Sequence, residues 1–540
     1  MIRMAQIPAF LLTRTAQGAV SQVRRRHTIA LGAAGAARVL RNTKGRKLNN
    51  VSSQDTSMAG FTEKSTPFYR VGHAFKTDTH HQEEAEWLWP LDDTQMMFVE
   101  GHEAGTRFTC PTMTLNSAAP LRVEDVEEAL FHLQRKTPIY QVCMSERNGR
   151  LWWRKRDDID INFKVFERGA DTLEVMNDMW EEGFEKDGSL WKSRLLAADA
   201  HEPCPIPELR ADYPYQYTFI TCTHHAIGDG MSVAPLCQAF LDILNAIIDG
   251  RQIDDKPLGI FLSGDEIAAK DEAIRQQLLQ DPDRFEALKA EVLNANKAPA
   301  LLKAFPRPSV DKPTTKQIIN NIDKNTHDAF AERCKAAGVS FASGIQAAIN
   351  TAIVEMVSDA GVDDEYHDIS VNLAANLRRF MEQRPLHAQG LHARTMAVVT
   401  HTPKNTRERF WEYTADLHRD LGAQIRSGGV LQQEVVRRMV MPKVDPYEYY
   451  VGSPEATRDY GLNSLGNVAN VVPGTGKHVQ MTDLLQHTAV HKFIYSNFHQ
   501  ICTFRGSCKY IISYATDQLS DETAQLLANK IFEVIKNVCK

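Results

Sequence analysis

The sequence has no Cys-x-x-Cys pair among its nine cysteines, scattered from Cys110 to Cys539, and that odd count fits reduced thiols better than a disulfide framework. A reducing compartment is therefore expected. It has no apolar run near the roughly 20 residues that span a bilayer; the best stretch, Ile29 to Ala37, is short and broken by glycine. No transmembrane segment is expected. It lacks a strong charge imbalance: a net charge of -6 over 540 residues does not point to a nucleic-acid partner. No solenoid-type repeat is present. The length exceeds what one hydrophobic core organises, so two domains with flanking segments are expected.

Acidic residues are also missing from the first 54 positions. Ten basic residues, from Arg3 to Lys47, precede Asp55, the first acid. A leader over residues 1–60 reads either as a mitochondrial transit peptide or as a solvated basic tail. The expected location is intracellular and soluble, mitochondrial or cytoplasmic.

Dense apolar sequence begins at Trp87-Leu88-Trp89-Pro90-Leu91, with loop expected before it. A strand is expected over Phe108 to Leu115, followed by a helix opening at Val123 and ending before Pro138. Tyr215 to His225 alternates as a strand, and Val233, Leu236, Phe240, Leu241 and Leu244 mark the buried side of the helix after it. Charged helical segments punctuated by prolines occupy 251–313 and read as a connector. Beyond it are expected a helix over Phe341 to Val357, strands at Ile369 to Leu373, Thr395 to Thr400, Val468 to Val472, His499 to Phe504 and Lys509 to Ser513, and a last helix over Asp521 to Val538.

The residues that suggest chemistry are His224-His225-Ala226-Ile227-Gly228-Asp229-Gly230. Alternation along a strand sends His224 and His225 to opposite faces, so one histidine enters a cleft while the other packs behind it. Imidazole titrates near neutrality and is suited to take a proton from an attacking alcohol or amine, an effect worth roughly 10² to 10⁴ in rate. Asp229 reads as an organiser, with Gly228 and Gly230 permitting positive φ or close backbone approach. Cys222 falls on the face opposite His225 and reads as a packed thiol. No metal site is expected: the alternative cluster of His73, Asp78, His80 and His81 lies in the expected loop.

His-His-x-x-x-Asp-Gly at a strand end in the first half resembles the CoA-dependent acyltransferases, which include chloramphenicol acetyltransferase, alcohol acetyltransferases and nonribosomal peptide condensation domains. Leu121 to Asp125, Leu190-Trp191, Asn376-Leu377-Arg378-Arg379 and Leu462-Asn463-Ser464-Leu465-Gly466 match further family segments in order, over about Pro90 to Val538. The plant-type Asp-Phe-Gly-Trp-Gly signature is missing. The resemblance implies an α/β (α+β) fold of two chloramphenicol acetyltransferase-like lobes, each a mixed sheet with flanking helices, with an active-site tunnel between them. The first lobe would span 61–250, the connector 251–313 and the second lobe 314–540.

The resemblance further implies that His225 and Asp229 are catalytic, with His224, Gly230, Arg378, Asn463 and Ser464 in support. Arg378 would hold Asp229, with Arg379 as the alternative partner. Asn463 and Ser464 stand in reversed order relative to the family's usual turn, and Ser464 reads as turn-forming. The implied reaction moves an acyl group from acyl-CoA, a co-substrate and not a bound cofactor, to a small alcohol or amine, in a protein expected to be monomeric. The alternatives are a condensation enzyme drawing on a carrier-protein thioester, and a non-catalytic small-molecule-binding descendant of the fold.

Overall fold

The computed structural model describes residues 68–69, 86–197, 203–382, 387–440 and 455–540. The basic leader, and the cluster of His73, Asp78, His80 and His81, lie outside the described residues.

Two six-stranded mixed sheets organise the molecule. The first runs Phe68–Tyr69, Phe163–Phe166, Trp191–Ala197, Tyr215–Thr223, Thr109–Ser117 and Val479–Thr488 in spatial order. The second runs Thr315–Ile322, Ser507–Ala515, Asn497–Phe504, Tyr460–Asn467, Tyr366–Asn376 and Ala393–Pro403. Helices Val123–Lys136 and Gly230–Ile248 cover the first sheet through Val126, Leu130, Leu236, Phe240 and Leu244, which share one core with Phe219. Helices Phe341–Asp359 and Asp521–Val538 cover the second in the same way. Gly230–Ile248 has the length and apolar composition of a membrane span, but its apolar residues are spent on this core.

The boundary at 313/314 does not follow the sheets. Strand Val479–Thr488, from the second half of the chain, pairs antiparallel with Thr109–Ser117 and forms an edge of the first sheet. Asn245 pins its start: Nδ2 donates to the Val479 carbonyl at 3.1 Å, while Oδ1 accepts from the main-chain N–H groups of His478 and Val479 at 2.7 and 3.0 Å. Those main-chain groups are thereby paired before the ladder begins.

Two further segments differ from expectation. Val468 to Val472 is not a strand: Val468–Asn470 forms a 3-10 turn that sinks Val468 and Val472 into the first lobe's core, so tertiary burial outweighs the β-branched preference. Asp93–Glu103 is a helix that the hydrophobic pattern did not announce. Asp92 caps it, accepting from the Gln95 N–H at 2.8 Å, while the Gln95 side chain accepts from the Asp92 N–H at 3.0 Å. The connector contains helices Asp265–Gln280 and Pro282–Asn294, which pack through Leu278 and Val292 onto Val435 and Val436.

Candidate active site

The strand carrying the motif stops at Thr223. His224 is extended (φ -60°, ψ 121°) and His225 opens a 3-10 turn, His225–Ile227, so the two rings diverge at a strand end and not by alternation within a strand. His225 lines a cavity of about 430 Å³ whose walls come from both lobes. His224 lines a separate cavity of about 620 Å³. Cys222 is buried with Phe108, Cys110 and Trp180 and lines neither cavity.

Helix Asp93–Glu103 supplies the surroundings of the pair. Phe98 stacks on His225 with ring centroids 4.2 Å apart, and His102 stacks on His224 at 4.0 Å. His102 Nε2 accepts from the His225 main-chain N–H at 3.4 Å, and His224 Nδ1 accepts from the Ala226 N–H at 3.1 Å. Each accepting nitrogen must be unprotonated. Burial, and secondarily the His225 ring, lowers the His224 pKa to about 3. Burial and then the other two rings push His102 far below the ordinary imidazole value. His225 is lowered as well, mainly by burial and also by the Arg107 charge, while main-chain groups and Asp229 act in the opposite sense. Its Nδ1 is enclosed and has no hydrogen-bond partner among the described residues. Three uncharged imidazoles therefore meet at this point at neutral pH.

Asp229 performs a different task. It is the N-cap of helix Gly230–Ile248, with Oδ1 accepting from the N–H groups of Met231 and Ser232, both at 3.0 Å. Oδ2 accepts from Arg378 Nη1 and from the His392 main-chain N–H, both at 2.8 Å. Burial is the largest influence on its pKa and raises it, but Arg378 and His392 together outweigh that and hold the carboxyl below the usual range. Both oxygens are thus engaged by other donors, which makes Asp229 a brace between lobes.

Arg378 makes that contact and Arg379 does not. The Arg378 Nη2 also donates to the Ser232 hydroxyl at 2.9 Å and the Ala388 carbonyl at 3.0 Å, whereas Arg379 donates from Nε to the Asn376 carbonyl and lines the cavity.

The motif glycines serve close approach. Gly228 has an extended φ of -173°, and neither Gly228 nor Gly230 has positive φ. A Cβ on Gly230 would lie 3.1 Å from Leu465 Cδ2. Leu465 belongs to Tyr460–Asn467, which is a strand with a bulge between Ser464 and Gly466 where a turn was expected; Gly466, at φ 67°, adopts the left-handed conformation there. Asn463 and Ser464 both line the His225 cavity.

Phe98, His102, Arg107, Ser232 and His392 are the site residues that sequence reasoning missed. Asp92-x-x-Gln95 was the available signal for the helix bearing Phe98 and His102. His392 acts through its main-chain N–H, which no side-chain pattern marks.

No protein-family model matches the chain, and neither does any curated protein. Its two-lobed fold is shared with solved condensation domains and with a solved O-acetyltransferase. It superposes on TRI3 trichothecene 15-O-acetyltransferase from Fusarium sporotrichioides with a TM-score of 0.59, at 10% identity over 84% of this chain and 95% of that one. The condensation domain of the Monacolin K polyketide synthase MokA gives 0.57, at 12% identity over 85% and 98%. Polyketide synthase associated protein 5 from Mycobacterium tuberculosis gives 0.56, at 14% identity over 84% and 98%.

Proposed function

We propose that the chain is an acyltransferase that moves an acyl group from acyl-CoA to a hydroxyl or amine acceptor, with His225 as general base. The observation that carries this reading is the placement of an uncharged imidazole, stacked on Phe98, on the wall of a cavity shared by two lobes. His225 takes the acceptor proton as the oxygen or nitrogen attacks the thioester carbonyl. The tetrahedral intermediate collapses with cleavage of the C–S bond, and the proton passes to the departing thiolate. No acyl-enzyme forms. Asp229, Arg378 and Ser232 position the turn that presents His225, Gly230 permits the approach of Leu465, and Asn463 and Ser464 face the reacting groups. His224, buried against His102, supports the turn from behind.

The test is thiol release from a panel of acyl-CoAs with pooled alcohols and amines, comparing wild type with His225→Ala. Acceptor-dependent release that drops roughly 10²-fold to 10⁴-fold in the variant is expected. Equal release in the two proteins overturns the assignment of His225.

A fold shared with condensation domains favours one second reading, in which the donor is a carrier-protein thioester. Acceptor-dependent transfer from a phosphopantetheinyl carrier thioester, with none from free acyl-CoA, would select it.

A further inference from the structure

A second, much smaller cavity opens off the first beside His225. Its volume is about 30 Å³, and it shares Thr109, His225, Asp229, Gly230, Leu465 and Gln486 with the larger one. Beyond that shared mouth its wall is largely apolar. Val233, Ala234 and Cys237 come from the first turns of helix Gly230–Ile248, Val468 from the 3-10 turn Val468–Asn470, and Leu484 and Cys502 from strands Val479–Thr488 and Asn497–Phe504. All of these except Ala234 are buried.

The two thiols in this wall do not make it reactive. Each is turned onto main chain, Cys237 donating to the Val233 carbonyl at 3.7 Å and Cys502 to the Leu484 carbonyl at 3.8 Å. Burial pushes both thiols up to about 12, so they stay protonated at neutral pH. Gly230 keeps the mouth clear, since a Cβ there would lie 3.1 Å from Leu465 Cδ2 and 3.6 Å from Gln486 Nε2. At that mouth Gln486 Oε1 is enclosed and has no hydrogen-bond partner among the described residues. A polar mouth leading to an apolar end matches a carbonyl that carries a short hydrocarbon tail.

We propose that this recess receives the tail of the transferred acyl group and limits the group to about two or three carbons, acetyl or propionyl. The proposal rests on the acyl-transfer reading and specifies its donor. The thiol's arm, the acceptor and the acyl tail all leave the tetrahedral carbon formed beside His225. The first two are the larger, and the cavity of about 430 Å³ has room for them; only the tail can end inside a buried apolar notch. A single water needs about 10–15 Å³ measured in the same way, so about 30 Å³ holds about two non-hydrogen atoms. That is the methyl of an acetyl group or the ethyl of a propionyl group. A longer tail has to displace Val468 or Leu484, both packed into the first lobe's core. The bonds are those of the transfer itself: C–O or C–N forms, C–S breaks, and the acceptor's proton ends on the thiol.

The test is wild-type kcat/KM across acetyl-, propionyl-, butyryl-, hexanoyl- and octanoyl-CoA with the best acceptor of the panel, beside a series in which that acceptor is lengthened by successive methylenes against acetyl-CoA. A drop of about tenfold or more is expected between propionyl and butyryl, because one methylene too many in a filled apolar pocket costs that much. Val468→Ala removes carbon from the wall and should move the drop towards hexanoyl, whereas Ala234→Val should move it back towards acetyl. A level donor series overturns the proposal, as does a drop confined to the acceptor series, which would give the recess to the acceptor. A drop that stays in place in folded Val468→Ala and Ala234→Val proteins overturns it too. If no thioester is turned over, calorimetric titration of the same donors separates the two readings. Affinity that falls at the same chain length keeps the recess and removes acyl transfer; equal affinity, or no binding, removes the recess. The wild-type series decides the matter even where a variant does not fold.

Discussion

At the scale of single residues, the site separates His225, on the cavity wall, from the buried Asp229–Arg378 brace. Asp229 and Arg378 form an ion pair whose side chains are 6% and 14% exposed, joining the start of one lobe's helix to a turn of the other. Removing one member of such a pair strands the other charge, at a cost of about 3–5 kcal/mol. Asp229→Asn should therefore lower stability by that amount, read as a shift in the denaturant midpoint; a midpoint matching wild type would remove the bracing role. Because the folded-state pKa of Asp229 is depressed, its contribution is present above the ordinary carboxylate value and is lost as pH falls through the lowered one. For His225, the proposed base, the sign concerns rate. A base must be unprotonated, and burial lowers this imidazole below its usual 6.5, so kcat/KM should be level across neutral pH with its acid limb below 6.5. An acid limb at or above 6.5 would mean that another group is the base, or that His225 gains a stabilising partner on substrate binding.

At the scale of elements, helix Asp93–Glu103 decides the environment of both histidines, and its stability depends on its cap. Asp92→Ala removes one arm of the capping box, which costs about 1 kcal/mol. Phe98 and His102 ride on this helix, so activity should fall further than stability does, by ~10-fold or more if the rings shift by an ångström. Comparing the urea midpoint with thiol release separates the two effects, and an unchanged rate would show that the helix does not position His225. This helix also marks a limit of legibility. The strand Tyr215–Thr223 and the helices Val123–Lys136 and Asp521–Val538 were readable because their apolar residues repeat over many turns or alternate cleanly. Asp93–Glu103 has eleven residues, Gly101 within it and few apolar side chains facing the core, so only its cap was a signal. Strand Val479–Thr488 was missed for a related reason: Thr482, Asp483, Gln486 and His487 are polar, and an irregularity between Met481 and Asp483 breaks the alternation. The histidine pair and Asp229 were legible as a motif, and the Arg378 contact through the resemblance; Arg107 and the His392 N–H were not, because a loop conformation and a main-chain donor leave no periodic trace.

At the scale of the molecule, the strand exchange determines what counts as a folding unit. The first lobe's core contains Val468, Val472, Val479, Met481, Leu484, Cys502 and Phe504, all from the far half of the sequence, alongside Leu130, Phe219 and Phe240. A fragment of 61–313 would leave the edge of strand Thr109–Ser117 unpaired and expose the apolar side of that core; a fragment of 314–540 would carry Val479–Thr488 with no sheet to join. Burying one Val, Leu or Met side chain contributes roughly 1.5–3 kcal/mol, and a whole domain's net stability is only about 5–15 kcal/mol, so losing this set exceeds the margin. Neither fragment should unfold cooperatively alone, whereas co-expression of the two should restore a single cooperative transition and acceptor-dependent thiol release. Asn245→Leu in the intact chain tests the same joint at smaller scale: it strands the main-chain groups of His478 and Val479 and should cost about 1–3 kcal/mol. A fragment of 61–313 that melts cooperatively near the wild-type midpoint would show that the exchanged strand decorates the first lobe and does not complete it.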